Sequence, residues 1–171
     1  MPYSIFIIVA LSSIYFYPVK HSKHKKNIVN ANKALTKIVG IESPGKVFCY
    51  IRKIDPYIFE ELVLSAIRKQ GYSITRNKRY TGDNGIDGQA VINGQKVIIQ
   101  AKRYKGHINN KHVSDFAIIC AKLNRKGLFV HSGITGKKSR RVSNSFPNVK
   151  IISGTRLLNL LKENNCDYTW D

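Results

Sequence analysis

Acidic side chains are scarce in this chain of 171 residues: Asp and Glu number 10 against 29 Lys and Arg, which gives a formal net charge of +19. The imbalance indicates a polyanionic partner or an anionic membrane surface, although solvated basic faces also produce such a composition. The length allows one globular core with an appendage and leaves little room for two full domains.

Cysteine is also rare. Cys49, Cys120 and Cys166 lie far apart and form no CxxC pair, so neither a zinc site nor a disulfide framework is supported. Cys120 falls inside an apolar helical pattern, which is typical of a small buried residue rather than a nucleophile. This usage favours a reducing cytosol.

Charge is absent from Tyr3 to Tyr17 (YSIFIIVALSSIYFY), and lysines follow Pro18. The pattern predicts an apolar transmembrane helix within residues 1–19, but the run is shorter than the roughly 20 residues of an ideal span. A short or tilted span therefore competes with a secretory signal and a buried strand pair. A signal would carry its cations before the run. Lysines after it favour a cytoplasmic main domain, anchored to the inner face of the membrane.

Residues 20–54 are lysine-rich and contain Gly40, Pro44 and Gly45, which predicts a basic linker. Val47–Ile51 (VFCYI) is interpreted as a short docking strand within it. The segment is too short for a DNA-reading domain. The main domain is expected at residues 55–163, followed by a tail at 164–171.

The main domain begins with a helix, because Asp55-Pro56 is a helix-start signal and apolar residues repeat at helical spacing until Gly71. Further along, the pattern predicts strands at 72–80, 86–92, 95–103, 127–133 and 149–152, and helices at 112–124, before the last strand and at 155–161. A meander followed by crossovers predicts an α/β fold in the order αβββαβαβα, with a mixed sheet flanked by helices.

Asn93-Gly94 is a strong signal for a two-residue hairpin, which fixes the register of its strands. Ile92 then pairs with Gln95, and Asp87 pairs with Gln100 at a Cβ separation of about 5 Å. Lys102 projects from the same face. The opposite face is apolar and collects Ile86, Ala90, Ile92, Val97, Ile99 and Ala101.

These polar groups suit phosphodiester hydrolysis, which requires a divalent cation, an activated water and neutralisation of phosphate charge. Asp87 and the Gln100 oxygen are candidate ligands for Mg²⁺ or Mn²⁺. Lys102 is a candidate to orient or deprotonate the attacking water, and Glu60 on the first helix could add a carboxylate. The alternative is an ordinary surface ion pair between Asp87 and Lys102.

Successive blocks of the chain resemble the Mrr-type branch of the restriction-endonuclease-like, or PD-(D/E)xK, nucleases. The blocks are FEELV (Phe59–Val63), Gly71-Tyr72, GDNGID (Gly82–Asp87), IQAKRY (Ile99–Tyr104), GLFVHSG (Gly127–Gly133) and IISGTRLLNLL (Ile151–Leu161).

The resemblance implies the restriction-endonuclease-like fold and catalytic roles for the residues that match the family's active site: Asp87, Gln100, Lys102 and Glu60. Many relatives carry Glu or Asp at the position of Gln100. Two departures are visible. His131 stands where threonine is common, and no recognisable winged-helix domain precedes the nuclease.

Basic residues near these blocks are candidate contacts to DNA phosphates. They are Arg103, Lys105, Lys111, Lys137, Lys138, Arg140 and Arg141. His107 and His112 are weaker candidates for such contacts, and Asp83 is interpreted as a turn residue.

The sequence thus predicts a magnesium-dependent DNA endonuclease of the restriction type. Two alternatives stay open: a membrane-tethered nucleic-acid-binding protein that does not cut, and a structure-specific nuclease acting on branched DNA or RNA. A homodimer is expected if both strands are cut, since that usually takes two active sites.

Overall fold

The computed structural model describes residues 23–77 and 85–163, together with Cys166 and Tyr168. Within these residues a five-stranded sheet lies between two layers of helices. The elements are α1 (Lys23–Val39), α2 (Pro44–Ile51), α3 (Pro56–Lys69), β1 (Ser73–Arg76), β2 (Gly88–Ile92), β3 (Gln95–Lys102), α4 (Asn110–Lys122), β4 (Lys126–His131), α5 (Lys137–Ser145), β5 (Val149–Ile152) and α6 (Gly154–Leu158), which continues into a π-helical turn (Asn159–Glu163).

The strands lie in the order β1-β2-β3-β4-β5. The first three are antiparallel, whereas β3, β4 and β5 are parallel and are joined by crossovers through α4 and α5. The predicted mixed sheet and the order of elements from α3 onward are confirmed. Asp55 caps α3 by accepting a hydrogen bond from the Tyr57 N–H at 2.8 Å, and Pro56 takes the first helical position, as predicted.

A separate apolar cluster lies on each face of the sheet. On one face α1, α2, α3 and α6 pack against Val97, Ile99 and Ala101 of β3. On the other, α4 and α5 pack against Ile98 of β3 and Phe129 of β4. Both faces of β3 are therefore buried from Val97 to Ala101, where the sequence had predicted one apolar and one polar face.

The prediction of a linker at residues 20–54 is wrong for the part that the structure describes, residues 23–54. Residues 23–39 form α1, whose Ala31, Ala34, Leu35 and Ile38 are buried in the first cluster. Val47–Ile51, predicted as a strand, forms most of α2, because Pro44 starts a helix there and places Val47 and Ile51 one turn apart on its buried side. The lysines, glycines and proline of this segment led to the linker prediction, although its apolar residues are spaced as in helices.

Among the described residues, none of the helices combines the length and the hydropathy of a membrane span. The apolar run in residues 1–19, where a span was predicted, lies outside the described residues. Of the predicted tail, Cys166 and Tyr168 are described, and both are buried against the first cluster.

The place of α1 in the core can be tested with adjacent substitutions. Ile38 is fully buried and Val39 is 47% exposed. We expect Ile38→Ala to lower the free energy of unfolding by about 2–5 kcal/mol, because it leaves a cavity between α1 and the rest of the core. Val39→Ala should change it by less than about 0.5 kcal/mol. Urea denaturation measures both, and equal effects would mean that α1 is not packed.

Candidate active site

Asp87 lies at an irregularity where β2 begins. The hairpin has the predicted register from Ile92↔Gln95 to Gly88↔Ile99. Beyond that, the Asp87 N–H also donates to the Ile99 carbonyl, at 2.8 Å, so Asp87 and Gly88 both face one residue of β3. This is the arrangement of a β-bulge. The ladder pair predicted between Asp87 and Gln100 is therefore not formed.

The bulge brings the Asp87 carboxylate against the β3 backbone. Its Oδ2 accepts a hydrogen bond from the Ala101 N–H at 2.6 Å. Ala101 stands between Gln100 and Lys102, so the carboxylate is fixed beside both predicted partners. The bulge also turns Ile86 toward the second cluster, whereas the sequence had predicted it on the face of Ala90.

Gln100 is 5% exposed, and its amide has two distinct environments. Nε2 donates to the Gly85 carbonyl at 2.6 Å, whereas Oε1 is buried without a hydrogen-bond partner among the described residues. Gly85 has a φ of +79°, and a Cβ there would collide with Nε2. Only glycine fits this close approach. A buried acceptor with no donor usually implies an absent partner.

Glu60 brings a second carboxylate to Asp87 from α3. Burial and then the negative charge of Asp87 raise the pKa of Glu60 from its ordinary value of 4.5 to about 8, and the positive charge of Lys102 opposes this shift. Two carboxyl groups that resist joint ionisation are typical of a site that takes a cation.

Lys102 is the last residue of β3 and is half-buried. It forms no direct ion pair with any residue that the structure describes, so its ammonium group can meet an anion. The structure thus brings together the four predicted residues: Asp87, Gln100, Lys102 and Glu60.

The donor set fits a hard divalent cation such as Mg²⁺, which prefers a few oxygen ligands and keeps several waters. Asp87 and Glu60 offer carboxylates, and Gln100 offers a buried oxygen for which the described part of the chain supplies no donor. No group of three or more His, Cys, Asp or Glu side chains suited to a metal occurs within the described residues. Asp83 lies outside them.

A buried ion pair next to the site was missed by sequence reasoning. Glu61 is 2% exposed, and its Oε2 accepts a hydrogen bond from Arg76 Nε at 2.8 Å. His24 of α1 approaches its other oxygen at 3.4 Å, and Arg76 also donates to Ser65. Adjacent glutamates thus differ in role: Glu61 ties α1 and β1 to α3, and Glu60 faces Asp87.

The predicted DNA-contacting residues divide into two groups. Lys105, Lys137, Lys138, Arg140 and Arg141 are exposed. Two others have partners within the chain. Lys111 forms an exposed ion pair with Asp115 at 2.8 Å, and Arg103 donates through Nη1 to the Arg52 carbonyl at 2.6 Å. Arg103 therefore joins the end of α2 to the end of β3.

His131, which stands where threonine was expected, is fully buried. Its Nδ1 accepts the Gly133 N–H at 3.1 Å, and Nε2 lies 3.0 Å from Thr135 Oγ1. Burial lowers its pKa to about 4, so the ring stays neutral at neutral pH. His131 closes the turn after β4 and is not a titrating group of the site.

Comparison with known proteins agrees with the class that the fold and site define, a restriction endonuclease. The Mrr catalytic domain, described as a restriction endonuclease, matches residues 51–161, so the chain belongs to the Mrr-type restriction endonuclease family. The predicted family and restriction-endonuclease-like fold are confirmed.

The proteins similar to this chain include a characterised enzyme and a solved structure. The type IV methyl-directed restriction enzyme EcoKMrr of Escherichia coli strain K12 is 27% identical over 120 residues, which cover 66% of this chain and 40% of that enzyme. The chain therefore matches about two fifths of that relative's length. The structure of the restriction endonuclease FokI has a TM-score of 0.47 and 16% identity, and the match covers 86% of this chain and 32% of that one.

The burial of Glu60, together with its closeness to Asp87, has a pH signature. Between pH 4.5 and about 8 the folded protein keeps a proton on Glu60 that the unfolded chain loses. Stability therefore falls as pH rises through this window. We expect Glu60→Gln to melt at a higher temperature than the wild type above pH 8 in EDTA, and at a similar temperature below pH 4.5.

Glu61→Gln is the matched control in the next position. It leaves the half-buried Arg76 guanidinium without its counter-charge, so we expect a loss of about 1–3 kcal/mol in the free energy of unfolding. Thermal melts across the pH range measure both variants. If Glu60→Gln and the wild type melt together at high pH, Glu60 is not a desolvated carboxyl group beside Asp87.

Proposed function

We propose that this chain is a divalent-metal-dependent endonuclease that hydrolyses DNA phosphodiester bonds, with Mg²⁺ or Mn²⁺ as cofactor. The observation that carries the proposal is the buried Gln100 Oε1, which has no donor among the residues that the structure describes and lies beside a carboxylate fixed by the Ala101 N–H. Membership of a restriction endonuclease family supports the reaction class.

Asp87 and Gln100 would hold the cation through oxygen, with Glu60 as the second carboxylate. When bound, the cation would lower the pKa of a coordinated water and neutralise phosphate charge. The residues of the chain do the positioning. The Ala101 N–H fixes Asp87, the Gly85 carbonyl fixes the Gln100 amide, and the sheet end fixes Lys102.

Lys102 has the electrostatic role. Its ammonium group would orient the attacking water and stabilise the negative charge that grows on the phosphate oxygens in the transition state. Because both faces of β3 are covered by helices, this charge acts in a partly desolvated site, where the interaction is stronger than in bulk water.

Removal of site residues should abolish cleavage while the fold persists. We expect Asp87→Asn and Lys102→Ala each to reduce the cleavage rate by at least about 10²–10³-fold, since each removes a preorganised transition-state contact. Lys96→Ala is the matched control, because Lys96 is an exposed lysine of the same strand. Nicking and linearisation of plasmid DNA measure activity, and circular dichroism confirms folding.

Metal dependence is tested in the same assay. EDTA should stop cleavage, Mg²⁺ or Mn²⁺ should restore it, and Gln100→Ala should raise the metal concentration needed. Cleavage by purified Lys102→Ala at the wild-type rate would refute the site. Salt-sensitive DNA binding by the wild type without nicking under any metal would instead identify a binding protein. Unmethylated, methylated and branched duplexes and RNA, compared in parallel, define the substrate.

The exposed cations of α5 should contribute to DNA affinity by neutralising phosphates. We expect the double variant Lys137→Ala/Lys138→Ala to flatten the slope of log K against log [salt] by about 0.9 for each phosphate that the variant no longer neutralises. Lys46→Ala/Lys122→Ala makes the same charge change at exposed positions on α2 and α4 and should leave the slope nearly unchanged. Fluorescence anisotropy at several salt concentrations measures both, and equal slopes would exclude α5 from the interface.

A further inference from the structure

A tyrosine and a histidine form a hydrogen-bonded pair next to Lys102. Tyr104 follows Lys102 by two residues, and its hydroxyl contacts Nδ1 of His112 in the first turn of α4. The positive charge of Lys102 is among the causes that shift the pKa of His112, which places the imidazole within electrostatic range of the ammonium group. The sequence offered no spacing signal for this pair.

Several contacts fix the position of the Tyr104–His112 pair. The Ser132 hydroxyl accepts the Tyr104 N–H at 3.0 Å and donates to the Tyr104 carbonyl at 2.8 Å. The Tyr104 ring meets the buried His131 ring edge-on, with centroids 6.2 Å apart. Asn109 caps α4 by accepting the Lys111 N–H at 2.9 Å. Both side chains are thus attached to anchored backbone.

The hydrogen bond bears on the tautomer of His112. Burial raises the pKa of Tyr104, so the phenol keeps its proton. Burial and then the charge of Lys102 lower the pKa of His112, so the imidazole is neutral at neutral pH. In the tautomer whose Nδ1 accepts from the Tyr104 hydroxyl, the ring proton lies on Nε2. His112 is half-buried, and in this tautomer Nε2–H is a neutral donor on a ring that Tyr104 holds in place.

We propose that His112 is a further substrate-binding residue of this site, whose Nε2–H donates to a non-bridging oxygen of a DNA phosphate held beside Lys102, and that Tyr104 is its positioning residue. This inference rests on the proposed function. A neutral donor suits this place because a second fixed cation would repel Lys102, whereas a neutral N–H adds a directional bond to phosphate without that cost.

Single-turnover cleavage and DNA binding in Ca²⁺ test the role of His112. We expect His112→Ala to weaken binding or slow cleavage by roughly ten- to a hundredfold, the effect of one hydrogen bond to a charged group. His112→Gln keeps a side-chain N–H donor and should recover part of the loss. Asn110→Ala is the matched control, because Asn110 is an exposed neutral donor in the same first turn of α4.

Two further readouts separate a phosphate contact from a structural role. Tyr104→Phe should weaken the wild type but have no further effect in the His112→Ala background, since the hydroxyl acts only through the ring. The salt slope of DNA binding should stay the same in His112→Ala, because removal of a neutral donor changes no counterion release.

The outcomes distinguish this inference from the proposed function. If the wild type cleaves and His112→Ala matches it in rate and affinity, the role of His112 is overturned and the proposed function stands. If the wild type binds DNA without cutting, the affinity comparison decides the inference. If His112→Ala does not fold, His112→Gln and Tyr104→Phe decide it, and wild-type rate and affinity in both of those variants would overturn it.

Discussion

The hydrogen bond from the Ala101 N–H to the Asp87 carboxylate is the contact on which the rest of the site depends. It joins the start of β2 to the end of β3 at 2.6 Å, at the point where the regular ladder stops. Without the bulge, Asp87 would continue the ladder opposite Gln100. With the bulge, the backbone N–H of Ala101 holds the Asp87 carboxylate beside Gln100 and Lys102 of β3.

Burial determines the electrostatics around this contact. The helices on both faces of the sheet remove water from β3, and the polar residues lie where this cover ends. At such an edge a carboxyl group is desolvated enough for its pKa to rise, as in Glu60, while Glu60, Asp87 and Lys102 are only half-buried. The shape of the core therefore sets the electrostatics of the site.

The sequence predicted those features that local rules determine. Asn93 and Gly94 both have positive φ, as a two-residue hairpin requires, so the register from Ile92 to Gly88 could be counted from the turn alone. The bulge could not, because it depends on tertiary contacts such as Leu64 against Gly88, where a Cβ would lie 2.8 Å from the leucine side chain. The spacing of Ala31, Ala34, Leu35 and Ile38 did signal α1, but the surrounding lysines suggested a linker.

An amide at position 100 has a consequence that a carboxylate would not. The two ends of the Gln100 side chain are chemically different, and the Gly85 carbonyl accepts only the nitrogen end. The loop thereby selects which atom faces the interior, and the oxygen is presented in one orientation before any ligand arrives. A glutamate at position 100 would have two equivalent acceptor oxygens and no N–H to donate to the Gly85 carbonyl. A chain with glutamate there would therefore need a different loop conformation at Gly85.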